Sequence, residues 1–295
     1  MYKHIHAGML SVSYVDAGDP AGWPVVLLHG FPYDIHCYDE VTPRLAAAGA
    51  RVVVPFLRGY GSTRFVSHDA PRSGEQAVLG YDLLKLLDAL QIPSAVLAGF
   101  DWGGRAACVA AALWPERVRG LVSCNGYTIQ NIAKSGEPVA PEAEHRFWYQ
   151  YYFHSRRGYL CLERNRRELC RLLWRLWSPG WVFDDAAYER SAASFENPDF
   201  VDVVIHSYCH RFGLAQGDPA VAEFEGRLAT QPQITAPTVT LEGELDGVTP
   251  PAGADFHAPH FAGRHEYRLL PGVGHNPPQE NPEAFAAAVV AAHTL

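Results

Sequence analysis

The sequence lacks any apolar run of about eighteen residues, the length a helix needs to cross a bilayer, so no membrane span is expected. Its first residues, Met1-Tyr2-Lys3-His4-Ile5-His6, carry no long apolar stretch of the kind that directs export. Basic charge is in deficit. With 24 Lys and Arg against 32 Asp and Glu, the formal net charge is −8, and nucleic acid, which needs a basic face, is not an expected partner. The six cysteines at 37, 108, 124, 161, 170 and 209 form no Cys-x-x-Cys pair and no zinc spacing with histidine. Most lie in apolar runs, where a thiol behaves as a small hydrophobe. They read as reduced, in a cytoplasmic protein, and neither a metal nor a cofactor is expected. Internal repeats and low-complexity linkers are also missing. What is present, 48% hydrophobic and 19% charged residues over 295 positions, suits a globular chain with a large core. The arginines gathered between Arg156 and Arg175 read as the solvated face of a helix.

A further absence is local and more informative. In Gly99-Phe100-Asp101-Trp102-Gly103-Gly104 no serine stands between the glycines; Asp101 occupies its place. The preceding run Ala95-Val96-Leu97-Ala98 reads as a buried parallel strand. The following Arg105 to Trp114, Ala-rich and free of Gly and Pro, reads as a helix. This is the strand–turn–helix context of the Gly-x-Ser-x-Gly nucleophile turn with a carboxylate in it. A carboxylate there attacks an sp³ carbon and leaves an alkyl ester of itself, which points to an epoxide or alkyl halide rather than an acyl substrate.

Strands are expected at 9–16, 24–28, 51–54, 95–98 and 120–124, with a helix near 74–90, and strands return at 238–242 and 266–270. The alternation predicts an α/β fold with a mostly parallel, doubly wound sheet. Between them, 127–232 is aromatic, Arg-rich and helical in pattern, at 142–177 and around 185–212. The expected organisation is a core of 1–126 and 233–295 with 127–232 inserted as a helical lid, and Gly213–Pro219 is the nearest thing to a hinge. In the chain order nucleophile, acid, histidine, Asp246 falls just past a strand end and His275 in the loop Pro271–Asn276. His275 is the expected general base and Asp246 the acid that orients it, ahead of the rivals Glu242 and Glu244. Backbone N–H groups of Phe31, in His29-Gly30-Phe31-Pro32, and of Trp102 are candidates for an oxyanion hole.

With His29-Gly-Phe-Pro, Arg58-Gly-Tyr-Gly, Asp101-Trp-Gly-Gly, Gly243–Asp246 and Gly274-His275 assembled, the chain resembles an epoxide hydrolase of the α/β-hydrolase superfamily over nearly its whole length. The resemblance implies paired lid tyrosines that hydrogen-bond the epoxide oxygen. Tyr149, in Phe147–Phe153, and Tyr208, in His206–Arg211, match them, with Tyr151 and Tyr152 as alternates for the first. Lid aromatics, Trp148, Tyr152 and Phe153 among them, are expected to line the substrate site, and the substrate is expected to be a small apolar epoxide. A homodimer is compatible with this reading, although no residue calls for one. The chain is also similar to haloalkane dehalogenases in Asp101, Trp102, Asp246 and His275, but Phe31 stands where many of them have a halide-binding Asn. A non-catalytic ligand-binding protein on the same fold is the remaining alternative. The family pattern has His before the nucleophile and Asp ahead of Arg-Gly-Tyr-Gly, where this chain has Phe100 and Phe56. An exchange of two polar neighbours for one apolar contact is the expectation.

Overall fold

In the computed structural model, which describes residues 2–295, the apolar runs form one sheet of nine strands. They are β1 (Lys3–Ala7), β2 (Leu10–Gly18), β3 (Trp23–Leu28), β4 (Ala50–Pro55), β5 (Arg64–Phe65), β6 (Ala95–Gly99), β7 (Val118–Cys124), β8 (Thr238–Gly243) and β9 (His265–Leu270). The order is β1-β2-β4-β3-β6-β7-β8-β9, with β5 beside β2. From β4 to β9 all neighbours are parallel, whereas β2 is antiparallel to β1, β4 and β5. Every residue of β6 is buried, as expected of a central strand with helices on both faces. β1 and β5 escape the sequence reading because the first is a polar, largely exposed edge and the second is two residues long.

The core helices are α1 (Val41–Ala47), α2 (Gln76–Ala89) and α3 (Asp101–Leu113). The segment between β7 and β8 supplies α4 (Pro141–Arg146), α5 (Trp148–Phe153), α6 (Arg156–Trp177), α7 (Asp185–Ala192), α8 (Phe200–His210) and α9 (Ala222–Leu228). Two one-turn helices, α10 (Ala254–His257) and α11 (Pro277–Glu280), precede the closing α12 (Pro282–Thr294). No described helix is long and apolar enough to cross a membrane. The arginine-rich face of α6 is not simply solvated. Arg166 and Arg167 pair with Glu196, and Arg167 and Arg171 pair with Glu189. Arg171 also meets Asp185, so α7 and the turn after it are clamped to α6. Such exposed pairs contribute about 0–1 kcal/mol each.

The inserted helices are tied to the core by buried polar contacts. The Trp174 indole donates to Pro32 O at 2.8 Å, Asn197 Nδ2 to Thr63 O at 2.8 Å, and Ser194 Oγ to Asp34 Oδ2. The Gly74 amide donates to His206 Nδ1 at 3.0 Å.

β3 lies between β4 and β6, so the chain leaves β3 to one side and returns on the other. The crevice at the carboxyl ends of β3 and β6 is where an open parallel sheet binds its ligands. Reaching it requires α3 to press against the end of β3. A Cβ on Gly103 would lie 1.9 Å from Leu28 O, whereas one on Gly136 would meet nothing within 4 Å. Gly103→Ala should therefore cost about 3 kcal/mol or more, or prevent folding, while Gly136→Ala stays within about 0.5 kcal/mol. Urea unfolding of the two variants beside the parent checks both expectations.

Candidate active site

Asp101 follows β6 and opens α3 with φ of +49°, a left-handed conformation that is strained for a residue with a side chain. The strain turns its carboxylate into the crevice, where Oδ1 accepts the Phe31 N–H at 2.8 Å. A side chain on Gly30 would collide with Asp101, at 2.5 Å between the two Cβ atoms, so glycine is what admits the close approach. The loop carrying Phe31 is fixed from below by His29, whose Nε2 accepts the Leu57 amide at 3.1 Å while Nδ1 lies 3.1 Å from Gly30 O. Burial lowers the His29 pKa to about 4, outweighing the Gly30 contact and the Asp101 charge, so this imidazole is neutral.

Beyond β8 and β9 the chain presents Asp246 and His275, both buried. His275 Nδ1 lies 2.7 Å from Asp246 Oδ2, and its Nε2 lies 3.7 Å from Asp101 Oδ2, beyond hydrogen-bond range. The remaining capacity of Asp246 is filled by the amides of Val248 and Thr249 and by Asn125 Nδ2. The rival carboxylates are engaged elsewhere. Glu242 accepts from Ala252, Gly253 and Tyr267 and pairs with His257, and Glu244 accepts the Gly272 amide.

Electrostatics couple these groups. Burial opposes charging of His275, but the carboxylates of Asp246 and Asp101 outweigh it and raise its pKa to about 10. Burial would likewise raise the Asp101 pKa, yet His275, Arg105 and the Phe31 amide together bring it below the usual carboxylate value. The resting site therefore holds an ionised Asp101 beside a protonated His275.

Asp101 and His275 open onto a cavity of about 590 Å³ that Tyr149, Gln150 and Tyr151 of α5 help to line. The Tyr149 hydroxyl accepts from Gln150 Nε2 at 3.1 Å, which leaves its own proton to donate. Tyr208 is not among the residues that line this cavity. Its ring packs on Phe31, Trp102, Tyr149 and Phe153, and its buried hydroxyl has no partner. Burial raises the pKa of both tyrosines, so each keeps its proton. Trp148 and Tyr152, expected in the substrate site, do not line the cavity. Positions 149 and 153, one turn apart, share the buried face of α5, and 148 and 152, rotated from them by the roughly 100° that separates successive helical residues, share a more exposed one. Phe153 is fully buried and supports Phe31 and Tyr149 without reaching the cavity. Phe56 and Phe100 do not meet either. β3 separates their strands, and Phe100 packs on Tyr33 and His275 while Phe56 packs on Tyr2.

The family model described as "alpha/beta hydrolase fold" matches residues 24–282. The chain belongs to the α/β-hydrolase fold family. It is 31% identical over 204 residues to Epoxide hydrolase B of Mycobacterium tuberculosis, covering 63% of this chain and 56% of that protein. The match thus spans little more than half of that relative's length. Epoxide hydrolase A of the same organism is 27% identical over 306 residues, with 94% and 92% covered. Among solved structures, a Klebsiella pneumoniae chain described as a candidate epoxide hydrolase is 48% identical with a TM-score of 0.98, covering 100% of this chain and 97% of that one. A haloalkane dehalogenase variant from Bradyrhizobium elkanii, at 21% identity and a TM-score of 0.75 over 99% of this chain and 95% of that one, shares the fold.

In this α/β hydrolase, sequence reasoning missed the residues that hold the histidine loop. The His275 amide donates to Ser178 Oγ at 3.0 Å and Trp177 O at 3.2 Å, and Gly247 donates to Trp177 O at 2.9 Å. Glu280 accepts from Ser178 and from the amides of Gly274 and Asn276. The end of α6 is thus the anchor of both the Asp246 and His275 loops. No spacing in the chain announces Ser178 or Asn125, because each meets its partner across about a hundred residues. Asp101→Asn should lower the His275 pKa by about 1–3 pH units, since it removes one of the two carboxylates that hold the proton. NMR titration of His275 in parent and freshly made variant checks this; an unchanged value would mean that Asp101 does not act on the imidazole.

Proposed function

We propose that this hydrolase opens epoxides to vicinal diols through an ester on Asp101. The observation that carries the reading is a charged carboxylate at the nucleophile turn that shares its cavity with the Tyr149 hydroxyl, which stays protonated and has a hydrogen to give, while Tyr208 packs on the Tyr149 ring with a protonated, unpartnered hydroxyl. The printed names of the Mycobacterium tuberculosis relatives support the same chemistry. Asp101 Oδ2 attacks the less hindered ring carbon and the C–O bond breaks. The departing oxygen takes a proton from a tyrosine, giving a hydroxyalkyl ester. Oδ1 stays on the Phe31 N–H, which is placed for the oxyanion of the next step. The Trp102 amide, in the first turn of α3, belongs to the N–H groups that a helix start leaves unpaired and is the second donor. Each such donor is worth roughly 10²–10³-fold in rate.

Esterification also activates the base. Once Asp101 is an ester its charge is gone, and with it part of the attraction that keeps His275 protonated. The imidazole then releases its proton to the tyrosinate and can take one from water. That water attacks the ester carbonyl, the diol leaves with an oxygen from Asp101, and Asp246 holds the imidazolium by its Nδ1–H.

The lid boundaries (127–232 within a core of 1–126 and 233–295) belong to the same proposal, as does a cytoplasmic setting. One observation favours a second reading. Trp102 Nε1 is buried without a partner, a donor that suits a departing halide. The test is turnover of styrene oxide and of 1-bromobutane, with mass spectrometry of His275→Gln after exposure to each. Diol from the parent and a His275→Gln adduct heavier by the epoxide's mass are expected. Bromide release without diol would replace this reading by dehalogenation, and diol with no adduct would point to direct attack by water.

A further inference from the structure

Two arginines in the cavity have no anion. Arg105 lies one helical turn after Asp101 on α3, so both side chains take the same face, and Arg211 follows the last turn of α8. Both line the cavity with Asp101, Tyr149 and His275. Elsewhere in this chain Arg58, Arg72 and Arg51 meet carboxylates, Asp82, Asp199 and Asp16 in turn, whereas the half-buried Arg146, away from the cavity, meets none. Among the described residues neither Arg105 nor Arg211 does. Arg105 spends one N–H, from Nε to Thr128 O at 3.2 Å. Arg211 gives Nε and Nη2 to Ser207 at 3.3 Å and lays its guanidinium 4.1 Å from the centre of the Tyr208 ring. Both terminal nitrogens of Arg105 and Nη1 of Arg211 have no protein acceptor.

Holding two guanidiniums together away from bulk water is unfavourable. The strain is visible in Arg105, whose pKa burial and then the Arg211 charge bring down to about 10 against the pull of Asp101. Asp101 cannot account for both cations, since His275 already compensates it. The acids of the wall do not answer them either: Glu144 accepts the Tyr151 hydroxyl and the Val139 amide, and Glu137 pairs with neither arginine. A planar anion with two acceptor oxygens fits unspent N–H groups on two guanidiniums, and one negative charge restores the balance.

We propose that Arg105 and Arg211 seat a carboxylate of the substrate, which makes the natural substrate an epoxy acid. The sequence expectation was a small apolar epoxide. The assignment rests on the epoxide-opening reading for the reacting end of the molecule and on the arginine pair for the other. Because Cβ atoms one helical turn apart lie about 6 Å from each other, the carboxylate belongs within a few bonds of the carbon that Asp101 attacks.

Glycidate, 3,4-epoxybutanoate and 4,5-epoxypentanoate, each beside its neutral amide, are the probes. The best acid should exceed its amide in kcat/KM by about 10–100-fold, the size expected for charge-assisted hydrogen bonds in a confined site. In Arg211→Gln and in Arg105→Gln that preference should shrink to within a few-fold, and Arg211→Lys should restore part of it. Calorimetry with unreactive butanoate and butanamide on the parent protein needs neither a variant nor turnover, and butanoate should bind about 10–100-fold more tightly. Equal handling of acids and amides, with equal binding of the unreactive pair, overturns the carboxylate seat and leaves epoxide opening intact. Tight butanoate binding that both glutamine variants lose, with no diol from any epoxide, supports the seat and overturns the reaction.

Discussion

The contact on which the site depends is the approach of the first turn of α3 to the end of β3. At Gly103 the helix comes so near the Leu28 carbonyl that no side chain fits, and at Gly30 a Cβ would come within 2.5 Å of that of Asp101. These contacts hold Asp101 at φ +49° and aim its carboxylate at the Phe31 amide. Without them the carboxylate would be an ordinary residue at a helix start. With them it stands at the point where the sheet reverses its winding, facing loops from the far side of the sheet.

The inserted helices do more than cover this point. Ser178 and the Trp177 carbonyl, at the end of α6, hold the backbones of His275 and Gly247. Trp174 and Ser194 reach Pro32 and Asp34 beside the Phe31 loop. The Phe31 loop and the loops of Asp246 and His275 are therefore positioned from the same helical layer. A cap that swung open as a rigid lid would disturb the histidine it shelters. Access through the open cavity beside α4 and α5, with α6 and α8 staying in place, agrees better with this pattern of bonds.

Charge inside the site is arranged in opposition. Asp246 and Asp101 flank His275, and each carboxylate has its own donors, so an ion pair persists in a place where isolated charges would be neutralised. The cost of burial is offset locally, and in the proposed reaction that offset would change on esterification of Asp101. Arg105 and Arg211 lack that local compensation. Among the described residues neither meets a carboxylate.

Much of this was legible in the chain. Strand runs such as Pro24–Leu28 and Ala95–Ala98 are apolar throughout because both faces are covered. The glycines around Asp101 signal the sharp turn, and Asp246 and His275 follow in the order the sheet imposes, each just after a strand. Trp148 and Tyr152 were placed in the substrate site because aromatic composition alone cannot tell the two faces of a helix as short as α5 apart. Phe56 and Phe100 were paired without the knowledge that β3 runs between them.

The sequence by itself determined the fold class, the nucleophile turn and the candidates for acid and base, since these rest on local spacing and on strand periodicity. Only the tertiary structure decided that Ser178, Asn125 and Glu280 support the histidine loop. It alone decided that Tyr149 rather than Tyr208 lines the cavity, and that Arg105 and Arg211 stand there without a carboxylate. Those facts depend on partners brought together across the fold, and local backbone preferences carry no record of a partner about a hundred residues away.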